Sequence, residues 1–367
     1  MKNPRLPIVV LAALAAAPPP LEAQAESTRD LRTAVTRRRL TDALRMSEAL
    51  AEPTAEDSYL TGLAFMYLHD PRLASTHLRI AKAGDYRSPR GWPDLDLLLE
   101  RAETCRKLQP SSRCPSPTIA DPAITVYAGP TTPWSGPVLD AIPQFEEIGR
   151  SIFGKDIPPT RFYLFEERDE YNRFFEALFG MGVQTSWQDA TGNFNVVVCC
   201  EKDREGKMTR KAGAPDTLGG VLHEFGHAWV GTYLMYRHGR EWLSPRMRRP
   251  WLDEGLADYI ASLREPAYIQ RRETWLRRTA ANGTPPPTFA RMQSLDGFYH
   301  RDDVEVHYWI SAVLVAELLE PRECAPETIR SILDVAGESS RAVEEAVSTV
   351  TGKDPSGEFE RIVRRFW

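Results

Sequence analysis

The sequence has little of three features that would each point to a particular class of protein. Its formal net charge is only -5, with both signs interspersed, so it lacks the basic surface typical of nucleic-acid binding. No segment has the pattern of a cationic amphipathic helix. The apolar run Leu6 to Ala17 is shorter than the roughly 20 residues that span a bilayer, and Pro18 ends it. The sequence therefore predicts no nucleic-acid partner and no membrane span in the mature chain.

The same apolar run fits the core of a secretory signal peptide. Lys2 and Arg5 precede it, and the Ala-Gln-Ala tripeptide ending at Ala25 matches the small-x-small pattern of a cleavage site. We therefore expect residues 1–25 to be removed and the mature protein to be secreted or periplasmic.

Cysteine is also scarce, with five in the chain, so in an oxidising compartment at least one is free or paired with another molecule. Cys105 and Cys114 flank a short loop and are the simplest pair to predict, whereas the connectivity of the others stays open. Cys199 and Cys200 adjoin in a strand-like run, so they are expected on opposite faces. Structural thiols or disulfides explain the cysteines better than a second metal site.

Composition and periodicity divide the mature chain into three parts. Residues 26–108 have a helical pattern, residues 109–123 form a Pro/Ser-rich linker, and residues 124–367 have the pattern of an α+β domain. Strands are predicted at ITVYAG, RFYLFEE and FNVVVCC, with helices between them and from about Asp216 onward. The predicted fold class is α+β: a mixed sheet followed by a helical part, preceded by an α-helical hairpin region.

The segment SYLTGLAFMYLHDPRLASTHLRIAKAG has a regular spacing of small and apolar residues. These are Gly62, Phe65, Ala74, Leu78 and Ala81. The segment resembles one tetratricopeptide-like unit, which implies a protein partner bound through the N-terminal helices; a helical cap on the next domain is an equally good interpretation. One such unit cannot bury its own face, so it should pack on its neighbours.

Two of the seven histidines give the clearest chemical signal. In VLHEFGHAWV, His223 and His227 are four residues apart, so on a helix both imidazoles can reach one ion about 2 Å away. Glu224 is rotated by about 100° along the helix, where it can act as general base for a zinc-bound water. Two histidines are nevertheless an incomplete site, because a catalytic zinc needs a third protein ligand and an open position.

The third ligand can come from two places in zinc proteins of this kind. Metzincins use a histidine six residues after the second, but Tyr233 stands there and Val230 replaces the expected glycine. His238 lies in the charged stretch YRHGRE and is predicted to be a solvated surface histidine. The other solution is a glutamate from a following helix, and WLDEGLADYIASL provides Glu254, with Asp258 on the same helical face.

With both segments in place, the chain resembles the gluzincin zinc metallopeptidases, particularly the peptidase MA-like branch that includes relatives of aminopeptidase N and thermolysin. The residues that match its Trp and Glu-Gly-x-Ala positions are Trp251, Glu254, Gly255 and Ala257. The resemblance covers about Ile124 to Glu320 and implies a mixed-sheet upper subdomain above a helical zincin active-site subdomain.

The resemblance also implies roles for individual residues. His223, His227 and Glu254 would bind one catalytic Zn²⁺, Glu224 would be the base, and the substrate would be a peptide or protein. Asp258 would orient a histidine through its second ring nitrogen, although an exposed helix acid also fits its position.

A group that stabilises the oxyanion is also needed. Tyr308, in VHYWISAVLVAELL, is in a place comparable to the tyrosine of aminopeptidase N-like enzymes, although Ser311 replaces a glycine of that pattern. Tyr299 and His307 are competing candidates, and a tyrosine without a catalytic role fits equally well. FNVVVCC is the candidate for the strand along the cleft edge that pairs with substrate backbone.

Two departures from the family bear on specificity. Between His227 and Glu254 lie 26 residues, a long interval that implies an inserted loop around HGREWLSPRMRRPW. The Gly-Ala-Met-Glu-Asn segment of the aminopeptidases is missing, which favours an endopeptidase. The alternative function is a non-catalytic protein-interaction module with a structural or vestigial zinc site and tetratricopeptide-like binding helices. An intact Glu224 favours the peptidase, because a structural site needs no base.

Overall fold

The computed structural model describes residues 21–110, 112–113, 124–128, 135–154, 159–180, 190–201, 215–238, 249–300, 303–338 and 342–367. In this part the chain is mostly helical with one small mixed sheet, so the general α+β class is confirmed. No helix in these ranges has the length and apolar character needed to cross a membrane. Most of the predicted signal peptide lies outside them, and α1 (Leu21–Thr36) runs through Ala25.

Helices α1 to α5 make up the N-terminal region, and the last four are Leu40–Glu48, Ala55–Tyr67, Pro71–Ala83 and Leu95–Leu108. The predicted hairpin corresponds to α3 and α4, whose starts follow from capping residues. Thr54 forms a capping box with Asp57, and the Asp70 side chain accepts from the first turn of α4. Gly62 allows the two helices to approach, because a Cβ there would lie 2.7 Å from Leu78 Cγ.

The sheet contains β1 (Ser112–Arg113), β2 (Ile124–Ala128), β3 (Thr160–Phe165), β4 (Ala190–Asn193) and β5 (Val196–Cys200). Its order is β1-β2-β3-β5-β4, with the three central strands parallel and the two edge strands antiparallel to their neighbours. Helix α6 (Ser135–Phe153) connects β2 to β3, and α7 (Arg168–Phe179) follows β3, as expected from the sequence.

One expectation about this sheet is wrong. Val196–Cys200 of the stretch FNVVVCC form β5, which lies between β3 and β4, so β4 is the edge strand on that side of the described sheet. Within the predicted linker, Ser112 and Arg113 pair with Tyr127 and Val126 of β2. The sequence identifies the strand β5, but the strand order depends on tertiary contacts.

Nine α-helices follow the sheet in the described chain. They are α8 (Pro215–His238), α9 (Pro250–Arg264), α10 (Ala267–Ala281), α11 (Phe289–Met292), α12 (Leu295–Phe298), α13 (Val304–Leu318), α14 (Ala325–Glu338), α15 (Val343–Thr351) and α16 (Pro355–Phe366). Glycines set two close crossings. A Cβ on Gly226 of α8 would lie 2.9 Å from Ala257 Cα of α9, and one on Gly255 would lie 2.7 Å from the Ser311 carbonyl oxygen of α13. These crossings bring α8, α9 and α13 together around one point.

Helices cover both faces of the sheet. On one face, Phe162 and Leu164 pack into a core shared with α6, α8 and the helices after them. On the other face, Tyr163 and Phe165 pack with α7. The alternation along β3 follows from the period of two in an extended strand.

The cysteines agree with the prediction in one respect and differ in another. Adjacent Cys199 and Cys200 belong to the cores on opposite faces of the sheet, as expected. The predicted pairing of Cys105 with Cys114 is not found, because Cys105 is a free, buried thiol; Cys114 lies outside the described residues.

The N-terminal helices pack directly on the rest of the molecule. Arg161 of β3 pairs with Asp70 at 2.6 Å, and Arg101 of α5 donates to two carbonyl groups near the end of α7 at 3.0 and 3.1 Å. Met235, near the end of α8, is buried in the N-terminal hydrophobic core. The helical region therefore buries its apolar face partly against the helix that carries the two histidines.

Candidate metal centre

Three potential metal ligands meet where α8 crosses α9. The Nε2 atoms of His223 and His227 are 3.1 Å apart, and Glu254 Oε2 lies 3.1 Å from the first and 3.2 Å from the second. Atoms that bind one tetrahedral ion at about 2 Å stand about 3.3 Å from each other. The triangle therefore has the size that a single metal ion requires, and these three residues can hold one.

A carboxylate orients each imidazole through its other nitrogen. His223 Nδ1 donates to Asp258 Oδ1, and His227 Nδ1 donates to Asp253 Oδ1, both at 2.8 Å. These bonds fix the orientation of each ring, with its Nε2 atom directed toward Glu254. The structure places Asp258 on the histidine side of α9 instead of in solvent. Asp253 was not predicted, although its position directly before Glu254 was an available signal.

Helix α10 holds Asp258 in place from the outside. The Tyr268 hydroxyl donates to Asp258 at 3.0 Å, and Arg272 donates to both carboxylate oxygens at 3.2 and 3.3 Å. The Arg272 guanidinium also lies over the rings of Tyr268 and Trp275. These contacts have no signal in the sequence, because the surrounding stretch, RRETW, has the charge pattern of a solvated helix face.

Buried negative charge dominates the electrostatics of this centre. The side chains of Glu254 and Asp258 are 6% and 1% exposed. Burial raises the pKa of Glu254, but His227 and His223 outweigh it and hold that pKa well below its ordinary range. For Asp258, burial is outweighed in the same way by Arg272 and His223. Ionised carboxylates buried to this degree need nearby positive charge, which a divalent cation supplies.

The pKa values of the two histidines are shifted in the opposite direction, upward. Burial lowers the pKa of His223, yet hydrogen bonds to Asp258 and Glu254 raise it to about 9. Burial also lowers the pKa of His227, and Asp253 and Glu254 raise it well above its ordinary value. Metal ligation requires neutral imidazoles, so binding at this centre releases protons.

Glu224, the candidate base, follows His223 directly on α8. Its Oε2 accepts a hydrogen bond of 2.7 Å from the backbone N–H of Gly192 in β4. Only glycine fits there, because a Cβ would lie 1.8 Å from the Glu224 carbonyl oxygen and 3.1 Å from His227 Cβ. Strand β4 therefore packs directly against α8 and fixes one oxygen of this carboxylate.

Both candidate tyrosines reach Glu254. The Tyr299 hydroxyl donates to Oε1, and the Tyr308 hydroxyl lies 3.3 Å from the same oxygen. Burial, followed by the charge of Glu254, raises the pKa of Tyr308 well above its ordinary value, so this hydroxyl keeps its proton. His307 instead donates from Nδ1 to the Phe298 carbonyl at 2.7 Å and is fully buried.

The prediction for His238 is wrong. Its side chain is only 8% exposed, and its Nε2 lies 2.8 Å from Asp334 Oδ1, which also accepts from the Tyr233 hydroxyl at 2.8 Å. His238 and Tyr233 therefore contact α14 and take no part in the ligand triangle. The charged neighbours of His238 in the sequence indicate exposure to solvent, but its partner, Asp334, lies 96 residues later in the chain.

The fold and the site define an α+β protein with a candidate three-ligand metal centre at the crossing of α8 and α9. No protein-family model, curated protein or solved structure matches the chain.

Proposed function

We propose that the chain is an exported zinc metallopeptidase of the gluzincin type that hydrolyses internal peptide bonds of a peptide or protein substrate. One observation carries the proposal: the ligand atoms of His223, His227 and Glu254 form a triangle with edges of 3.1, 3.1 and 3.2 Å. Glu224 follows His223 directly on α8.

The donor set supports zinc over hard divalent cations. Two imidazoles and one carboxylate are the protein ligands of many catalytic zinc sites, which keep a fourth position for water or substrate. Hard cations such as Mg²⁺ and Ca²⁺ prefer oxygen ligands throughout. A purely structural zinc normally has four protein ligands, so three ligands with an adjacent glutamate favour catalysis.

When bound, zinc would lower the pKa of a water molecule and polarise the substrate carbonyl. Glu224 accepts the proton of the attacking water and passes it to the departing amine. Tyr308 donates a hydrogen bond to the carbonyl oxygen as negative charge develops on it. Asp258 and Asp253 keep the two imidazoles in orientation throughout.

The finer architecture is part of the same proposal. The sheet forms the upper subdomain and α8, α9 and α13 form the zincin subdomain below it, with the cleft between them. Strand β4, at the edge of the sheet and against α8, replaces β5 as the strand that pairs with an extended substrate. The N-terminal helices are the candidate surface for a protein partner.

Export rests on the signal-peptide pattern of residues 1–25. Amino-terminal sequencing of the mature protein tests it, with Glu26 as the expected first residue. A mature chain that retains Met1 would contradict export by this route.

Metal analysis and peptide cleavage test the activity. Protein purified without chelators should contain about one zinc per chain, and His227→Ala should abolish it. Glu224→Gln should keep the zinc and lose hydrolysis, because it removes the base and spares the ligands. A broad peptide library in which the wild type cleaves no more than Glu224→Gln would contradict the peptidase and favour the interaction module.

A further inference from the structure

Two tyrosine hydroxyls converge on one oxygen of a candidate metal ligand. Glu254 directs Oε2 toward both imidazoles, at 3.1 and 3.2 Å, while Oε1 accepts from Tyr299 and lies 3.3 Å from Tyr308. The two oxygens of this carboxylate therefore have different surroundings. Only Oε2 belongs to the ligand triangle.

Local structure holds Tyr299 in its place. Tyr299 follows the short helix α12, and its backbone N–H bonds to the Leu295 carbonyl at 3.0 Å. The preceding residue, Phe298, is fully buried, and its carbonyl accepts the 2.7 Å hydrogen bond from His307. His307 thus anchors the segment that presents Tyr299 to Glu254.

Tyr308 is held differently. Its hydroxyl lies at 3.3 Å from Glu254 Oε1, beyond the usual range of an O–H···O hydrogen bond, whereas Tyr299 makes a close contact to the same atom. Because this contact is long, little interaction energy is lost when the Tyr308 hydroxyl turns to another acceptor. The centroids of the Tyr308 and His223 rings are 6.3 Å apart, so Tyr308 already lies next to the metal centre.

From this asymmetry we propose that Tyr299 is a positioning residue, which keeps Glu254 bound to the metal through one oxygen only. Tyr308 is then the tyrosine whose hydroxyl is available to the substrate. A charge-assisted hydrogen bond to Oε1 competes with coordination by that oxygen. Without it, both carboxylate oxygens can coordinate the ion and occupy the position that a water or substrate requires. This inference rests on the proposed zinc centre.

Matched tyrosine-to-phenylalanine variants test the division of roles. Zinc affinity is measured by competition with a chromophoric chelator, and coordination by the visible absorption of the cobalt-substituted protein. Tyr299→Phe should weaken zinc binding by about 10–100-fold, the usual effect of removing a hydrogen-bond partner of a ligand. Its cobalt spectrum should lose intensity, as expected for a coordination number above four. Tyr308→Phe should keep wild-type affinity and spectrum.

Each outcome separates the inference from the proposed function. Wild-type zinc affinity and an unchanged cobalt spectrum in Tyr299→Phe overturn the inference and leave the peptidase proposal intact. Equal losses in both variants overturn the division of roles. A wild-type protein that binds neither metal overturns both proposals. Circular dichroism and melting of the zinc-free variants show whether a loss of affinity reflects unfolding, and the cobalt spectrum reports coordination independently of affinity.

Discussion

Gly192→Ala should destabilise the protein by displacing β4 from α8. The added Cβ would lie 1.8 Å from the Glu224 carbonyl oxygen, whereas a carbon and a carbonyl oxygen in contact are about 3.3–3.6 Å apart. The strand must therefore move by roughly 1.5 Å. This shift breaks the 2.7 Å hydrogen bond from Gly192 to the Glu224 carboxylate, because such bonds extend only to about 3.2 Å.

Overpacking of this kind costs about 1–3 kcal/mol. The reduced entropy of the unfolded alanine chain offsets only about 0.4–1 kcal/mol of that. Urea titration of the zinc-free protein measures the free energy of unfolding. Gly136→Ala is the control, because a Cβ there meets nothing within 4 Å, so the same entropy effect should leave it at least as stable as the wild type, by up to about 1 kcal/mol. Equal stability of the two variants would refute the close contact between β4 and α8.

Three further predictions follow from the same structure. Asp258→Asn should weaken zinc binding by about 10–100-fold in chelator competition, because the amide orients the His223 ring less well; unchanged affinity would contradict that role. A chelator should lower the melting temperature of the wild-type protein, because zinc at a hundred times its dissociation constant stabilises the folded state by about 2.7 kcal/mol. His227→Ala should melt at the same temperature with and without chelator. Arg161→Ala should cost about 1.5–3 kcal/mol in urea unfolding, because the largely buried Asp70 carboxylate loses its charged partner. Arg79→Ala, from an exposed ion pair, should cost below about 1 kcal/mol, and equal costs would contradict the difference in burial.

The sequence predicts the centre of the site well because its signals are local. Helical periodicity places His223 and His227 on one face of α8, and the same period places Glu254 and Asp258 on one face of α9. That the two faces meet follows from the close crossing at Gly226, which single-sequence patterns do not reveal. The triangle therefore depends on two local patterns and one tertiary contact.

Other parts of the structure have no local signal. Strand β4 has the sequence Ala-Thr-Gly-Asn, with no apolar alternation and a single β-branched residue, and its pairing depends on β5 and α8. His238 has charged neighbours but finds its partner, Asp334, on a distant helix. Arg272 looks like one of several surface arginines until α10 packs against Asp258.

Helix α8 contributes to two hydrophobic cores, because Phe225 lies in the core shared with the sheet and Met235 lies in the N-terminal core. Neither core can open without uncovering side chains of the other, so the helical region and the metal centre should unfold as one cooperative unit. A protein bound to the N-terminal helices would then stabilise the folded state. Amide hydrogen exchange along α8 would slow by a factor that corresponds to the free energy of that binding. Because proteases attack the open form of a protein, such a partner would lengthen the lifetime of the centre without touching it.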